Sequence, residues 1–413
     1  MQSLPTPALL LGLALTVSSA GADWTEFRGP TGQGRADTAK LPLEFGLKKN
    51  LSWRQAIAGA GWSSPVISKD RIYLTAAVPT EPEGRQSLRA LCMDAATGRE
   101  IWNTEVFAKA TSRVHGKNSQ ASPTPIIEDG RVYVHFGHQG SACLDLAGKV
   151  QWRNDRFAYL PRHGNGGSPL IVGDALCFSC DGENDPFVLA LNKHTGEQLW
   201  RTPRQTGATR KFSFSTPLLI TVAGKQQIIS PGSGAVCAYD PKDGREIWRA
   251  GYGEGYSVIP RPVYGHGLLF LSSGYDKPVL LAIRADGKGD VTDTHVAWTL
   301  TKQAPHTPSA LLVGNELYVV SDGGVASCLD AKTGQVHWQE RVGGNHSASP
   351  IHANGRIYFF SEEGNVSVVE AGRVFRVLAQ NPLGERTLAS CAVTGDALIV
   401  RTAGHLYRFE AKP

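Results

Sequence analysis

The feature that most limits what this chain can fold into is a short unit that keeps returning: "CMDAATGREIW" at 92–102, "ALNKHTGEQLW" at 190–200, "AYDPKDGREIW" at 238–248 and "CLDAKTGQVHW" at 328–338. Self-similarity at this spacing marks a repeat architecture, and it decides how every later motif is read. Each copy reads as a strand, a tight turn and a second strand ending in Trp. The Asp side chain opens the turn, and Gly takes the positive φ that closes it. Turn Gly and Trp stay four residues apart at Gly98 and Trp102, Gly148 and Trp152, Gly196 and Trp200, Gly244 and Trp248, and Gly334 and Trp338, which fixes the hairpin register. A looser copy precedes Trp298, and "VVEAGRVFR" at 368–376 reads as a shorter one without the Trp.

Another hairpin precedes each of these. It opens on a Pro and places an aromatic eight residues later, as in Pro65 and Tyr73, Pro125 and Tyr133, and Pro350 and Tyr358. Equivalent segments begin at Pro169, Pro217, Pro262, Ala310 and Cys391, making eight first hairpins. Alternating apolar residues between Gly, Asp and Asn turns predict antiparallel four-stranded blades set radially, an all-β propeller. Pro tolerates only an edge strand, which suits the innermost strand along a central channel. The last copy stops after a third strand at 405–410, while "NLSWRQAI" at 50–57 carries Trp53 in the fourth-strand position with no earlier strands ahead of it. The two fragments complete one blade. The expectation is an eight-bladed β-propeller closed by its N-terminal strand, with seven blades as the alternative if 366–376 is misread. Trp53, Trp102, Trp152, Trp200, Trp248, Trp298, Trp338 and the Arg376 copy mark the eight fourth strands. The tryptophans are read as packing residues between blades.

Residues 1–22 carry no charged side chain and end in Ala20-Gly21-Ala22, which predicts a signal peptide cleaved near Ala22. The expected organisation is therefore a signal peptide at 1–22, a lead-in at 23–49 and a propeller at 50–413. Such a protein is exported, periplasmic or secreted, and has no transmembrane segment in its mature part. No Cys follows the apolar run, which argues against a lipid anchor. The formal net charge of +5 is scattered, so no nucleic-acid surface is expected. Seven cysteines exclude a complete disulfide framework. Cys92, Cys143 and Cys328 share one repeat slot that takes a small buried side chain. Cys177 and Cys180 lie three apart on one strand and face opposite ways, so they cannot share a metal ion.

Chain direction puts the connections between blades and the loops between second and third strands on one face. Side chains just before the inner strands are expected to converge there: Trp62, Gln120, His163, Asn165, Lys211, Tyr256, His306, Asn345, His346 and Arg386. The longer loops at 78–87, 107–120, 181–187 and 274–278 join them. Polar groups converging from several blades are what a ligand pocket requires, although a wet channel mouth is polar without one. The three histidines sit on different blades, and Glu183, Asn184 and Asp185 lack calcium-loop spacing, so no metal site and no catalytic residue is predicted.

The small-x-Asp-x-x-x-Gly-x-x-x-Trp unit, covering residues 50–413, resembles the tryptophan-docking repeat of the pyrroloquinoline quinone (PQQ) propellers. The lead-in "DWTEFRGPTGQG" at 23–34 is similar to the opening of exported bacterial members. The resemblance implies one of two functions. Quinoprotein dehydrogenases oxidise alcohols or sugars with PQQ and calcium, and BamB-like propellers bind proteins without a cofactor. This chain has no Cys-Cys pair and no CxxCH segment. The expectation is a non-catalytic, monomeric propeller, without a cofactor, that binds a protein or glycan of the bacterial cell envelope. The alternatives are an atypical oxidoreductase using PQQ and calcium and a carbohydrate-active enzyme on the same scaffold.

Overall fold

The computed structural model describes residues 23–411, so the predicted signal peptide lies outside the described residues. Eight antiparallel sheets follow one another along the chain. The first blade comprises Val66–Ser68, Arg71–Thr80, Arg85–Asp94 and Glu100–Ala110. The next six occupy 126–154, 170–203, 218–251, 263–300, 311–341 and 351–382. The eighth is assembled from both ends of the chain. Ala392–Thr394, Ala397–Arg401 and His405–Phe409 supply three strands, and Leu51–Ala56 adds the fourth by pairing with His405–Phe409. In seven of the eight blades the first strand is an edge of its sheet, which is where its Pro is tolerated; in the seventh, Arg35–Ala36 pair alongside it.

Blades adhere because both faces of each sheet are apolar, and side chains alternate between them with period two. Ile72, Leu74 and Ala76 pack toward the eighth blade, while Tyr73 and Ala77 pack toward the second. Cys177 and Cys180 likewise enter different inter-blade cores. All seven cysteines are buried and unpaired.

The Trp side chains link successive blades. Trp102 donates its indole N–H to the Leu146 carbonyl at 2.9 Å, Trp152 to Lys193 at 2.9 Å, Trp200 to Pro241 at 3.1 Å and Trp338 to Gly372 at 2.9 Å. Trp53 does the same across the closing blade, reaching Ala95 at 3.1 Å. The indole also lies against the turn Gly of the next blade. A Cβ on Gly98 would sit 2.6 Å from Trp53, so this Gly is required for contact as well as for its φ of 73°. Trp248 is the exception. The fifth blade replaces the regular turn with an insertion at Gly289–Asp290 and Thr292–His295, and Trp248 bonds instead to Gln227 of its own blade at 2.9 Å.

Two expectations need correction. The eighth fourth strand is Val377–Pro382, beyond the Arg376 copy, and Ala379 stands opposite Val368 in the slot that Trp fills elsewhere. The turn there is longer than in the regular copies, so counting residues from Gly372 misplaced the register. Phe45 of the lead-in fills the gap, with its ring 6.5 Å from Tyr358 and 5.0 Å from Phe409. Residues 78–80, 85–87 and 107–110, read as loop, continue the strands of the first blade, which rises above its neighbours.

The lead-in enters the channel itself. Arg35–Ala36 add to the inner edge of the seventh blade, Trp24 bridges to Ile67 of the first, and Thr25 accepts the Ile127 N–H of the second. Arg261 of the fifth blade holds it from the opposite wall, donating to the Phe27 carbonyl at 2.6 Å and to Glu26 at 2.8 Å. The lower channel is therefore plugged by the protein's own chain.

Candidate functional site

Above the plug, the mouth face opens into a cavity of about 1020 Å³ with Phe27 of the lead-in among its lining residues. A ring of hydroxyls forms its lower wall. The residue before each Pro-slot is Ser or Thr in seven blades: Ser64, Thr124, Ser168, Thr216, Ser309, Ser349 and Ser390, all lining the cavity. Backbone N–H groups stitch them blade to blade at 2.9–3.0 Å: Ser64 to Thr124, Thr124 to Ser168, Ser168 to Thr216, Ser309 to Ser349 and Ser349 to Ser390. These bonds satisfy amides that an inner edge strand would otherwise leave open. The eighth position is Arg261, whose amide continues the ring to Ser309 at 2.9 Å while its side chain anchors the plug. Between the eighth and first blades, buried Arg401 reaches the Ser63 carbonyl at 3.1 Å.

Aromatic rings form the upper wall in a continuous arc. Centroids run from His115 to His163 at 5.5 Å, to Phe212 at 5.3 Å, to Tyr256 at 5.5 Å, to Tyr275 at 6.0 Å and to His306 at 5.4 Å. Most meet edge to face, the arrangement ring quadrupoles favour. Arg210 stacks on Tyr256 at 4.5 Å and donates to its hydroxyl, which in turn donates to Asp276 at 2.8 Å. Burial and the Asp276 contact raise the Tyr256 phenol, so the hydroxyl stays protonated. Burial, with His115 nearby, lowers His163, which favours its neutral form.

Six of the ten residues expected at the mouth line this cavity: Trp62, His163, Lys211, Tyr256, His306 and Asn345. Arg386 is exposed beside it, with its guanidinium 5.9 Å from the Trp62 ring. The other three are turned into the protein. Gln120 accepts from Ser112 at 3.0 Å, Asn165 donates to the Phe136 carbonyl at 3.0 Å, and His346 is 1% exposed, with burial pushing it down to about 4. Gln120 and Asn165 tie loops together, whereas the His346 Nδ1 is buried without a hydrogen-bond partner. Lys117 was not singled out from the sequence, yet it ties the loop after the first blade to Glu362 of the seventh at 2.7 Å. Phe212 was missed, and His115 and Tyr275 were anticipated only as parts of the loops at 107–120 and 274–278. They sit on aperiodic connections where only clustering in space gives them meaning.

The residues present do not fit PQQ held on calcium. The carboxylates lining the cavity, Glu183 and Asp322, come from the third and sixth blades. Glu183 is paired with Arg162 at 2.5 Å, and Asp322 accepts the His306 and Thr307 amides at 3.0 and 3.1 Å. Calcium takes six to eight oxygen ligands. Among the described residues no group of three or more His, Cys, Asp or Glu side chains is placed to hold a metal ion.

Residues 48–184, 167–310 and 287–412 match the family model described as outer membrane protein assembly factor BamB. The outer membrane protein assembly factor BamB of Shewanella oneidensis is 23% identical over 299 residues, covering 67% of this chain and 71% of that protein. Methanol dehydrogenase subunit 1 of Methylobacterium organophilum is 26% identical over 154 residues, which cover 30% of this chain and 22% of that protein. The crystal structure of BamB from Moraxella catarrhalis superposes with a TM-score of 0.62 at 13% identity, covering 88% of this chain and 97% of that one. That likeness carries the fold.

Proposed function

Because the chain belongs to the family of the outer membrane protein assembly factor BamB, we propose that it is a non-catalytic propeller that binds a protein or glycan of the bacterial cell envelope at its mouth face. The observation that carries this reading is the division of labour in the cavity wall. Its carboxylates are held in internal contacts, whereas the aromatic arc lines the cavity and exposed Lys211 has no hydrogen-bond or ion-pair partner among the described residues. Rings above a circle of hydroxyls, with polar groups converging from several blades, offer a ligand both apolar and hydrogen-bonding contacts. No helix among the described residues is long and apolar enough to cross a membrane. Export through the uncharged segment 1–22 is part of the same proposal.

The test is calorimetric titration of the full mature chain with PQQ in calcium, followed by dye-linked oxidation assays on alcohols and aldoses. No saturable binding and no turnover are expected. One PQQ bound per chain, with turnover lost in Lys211→Ala, would replace the binding reading with an oxidoreductase.

A further inference from the structure

The hydroxyl ring has a property that blade stitching does not explain. Six of its seven oxygens accept an amide from the preceding blade, but none of the seven donates a hydrogen bond to any described residue. The amide occupies one lone pair and leaves each O–H to find an acceptor elsewhere. All seven side chains are nearly buried yet border the cavity, so the acceptor has to come from its contents. The lower wall is a circle of seven hydroxyl donors interrupted at Arg261, and the upper wall is an arc of ring faces and edges.

That pairing selects for a ligand with two kinds of surface: apolar C–H faces to lie against rings, and many oxygen acceptors around its perimeter. A pyranose has both. The lining charges refine the choice. Lys117, Arg162, Arg210 and Lys211 stand against Glu183 and Asp322, and Lys211 alone of the four cations has no acidic partner. An unpaired ammonium at the rim of an aromatic cavity favours a carboxylate on the ligand. The volume, about 1020 Å³, lies at the upper end of the roughly 300–1,000 Å³ usual for small-molecule pockets, which suits an oligosaccharide better than one sugar. An extended peptide is served poorly. The inner strands are three to five residues long and their leading amides are already spent on the ring, so no open edge remains for main-chain pairing. Among aliphatic side chains only Ile259 and Leu388 line the cavity.

We propose that the mouth cavity binds an acidic oligosaccharide, with the hydroxyl ring facing sugar oxygens, the arc from His163 through Tyr275 facing the sugar rings, and Lys211 pairing with a carboxylate. This deepens the binding function proposed above and rests on it. The seated end is blind, because the lead-in closes the channel beneath; the ligand enters and leaves by the mouth.

The test titrates the full mature chain with trigalacturonic acid, with its methyl ester, and with an acidic hexapeptide of equal charge. The acid should bind saturably and at least tenfold more tightly than the ester. Lys211→Met should erase that difference while leaving the ester unchanged. Tyr275→Ala should weaken both sugars about tenfold, and because Tyr275 is 52% exposed this variant should fold normally. Equal binding of acid and ester, loss of neither in the two variants, or no saturable sugar binding would overturn the assignment. Saturable peptide binding that depends on Lys211, without sugar binding, would sink the carbohydrate and leave the scaffold function standing. Calcium-dependent PQQ turnover would sink the scaffold function itself.

Discussion

Phe45→Ala tests whether the lead-in completes the ring at the one blade that lacks its Trp. Phe45 is 3% exposed, sits between Tyr358 and Phe409, and is pinned by its own amide, which donates to Asn381 Oδ1 at 2.9 Å. Removing a buried Phe side chain costs about 3–5 kcal/mol, through lost transfer energy and the cavity left behind. Two ring contacts place this site in the upper half of that range, so about 4 kcal/mol is expected. Collapse into the gap is limited because Ala379 opposite offers only a methyl group. Urea denaturation followed by intrinsic fluorescence measures the loss as a lower midpoint at unchanged slope. Leu47→Ala, two residues along and 47% exposed, is the control and should stay within about 0.5 kcal/mol. If Phe45→Ala costs no more than Leu47→Ala, the lead-in merely rests against the seventh and eighth blades and the substitution reasoning fails.

Three other outcomes follow from the same structure. Arg261→Met leaves the Phe27 carbonyl and Glu26 without their donor, so it should cost about 3 kcal/mol and expose the buried Arg28 to trypsin, read by mass at the new N-terminus; unchanged protection would show that the plug does not depend on this anchor. His346, facing Asp322, Glu362 and Glu363, has its pKa depressed to about 4 by burial, so its contribution is present above the unfolded value of about 6.5 and is lost as pH falls through 4. That loss approaches about 3 kcal/mol, and His346→Gln should flatten the melting temperature between pH 6.5 and 4; a parallel decline in both proteins would reject it. Cys92, Cys143 and Cys328 should resist alkylation until denaturation, since all are buried and burial raises each thiol; rapid labelling in the native state would contradict the packing.

The architecture was legible because two periods overlap: apolar alternation within strands, and Asp, Gly and Trp at constant spacing between them. Even the split eighth blade could be read, since Trp53 sits in a strand with no partners nearby in sequence. The seventh blade's fourth strand was misplaced because Ala379 follows an irregular turn and the compensating Phe45 lies more than 300 residues away. The hydroxyl ring was within reach, since Ser or Thr precedes the Pro-slot seven times, but the Pro drew the structural reading and its neighbour went unread. The cavity was only half legible. His163 and Lys211 reach it, whereas Asn165, two residues past His163, turns into the packed loop. Which of two nearby polar residues faces a cavity depends on how loops from separate blades settle together, and no local pattern encodes that.

The closure of the eighth blade also imposes an order of events on synthesis. Leu51–Ala56 leaves the ribosome early and its partner His405–Phe409 leaves last, with about 350 residues between them. At roughly 5–20 residues per second, the first-made strand waits on the order of 20–70 s for the strand it will pair with. Joining the two costs about 5 kcal/mol of loop entropy if nothing between them has folded, and far less once seven blades have curved the chain round to meet itself. The ring is thus cheapest to shut from a nearly finished arc, and a nascent chain spends most of its elongation with the strand Leu51–Ala56 unpaired.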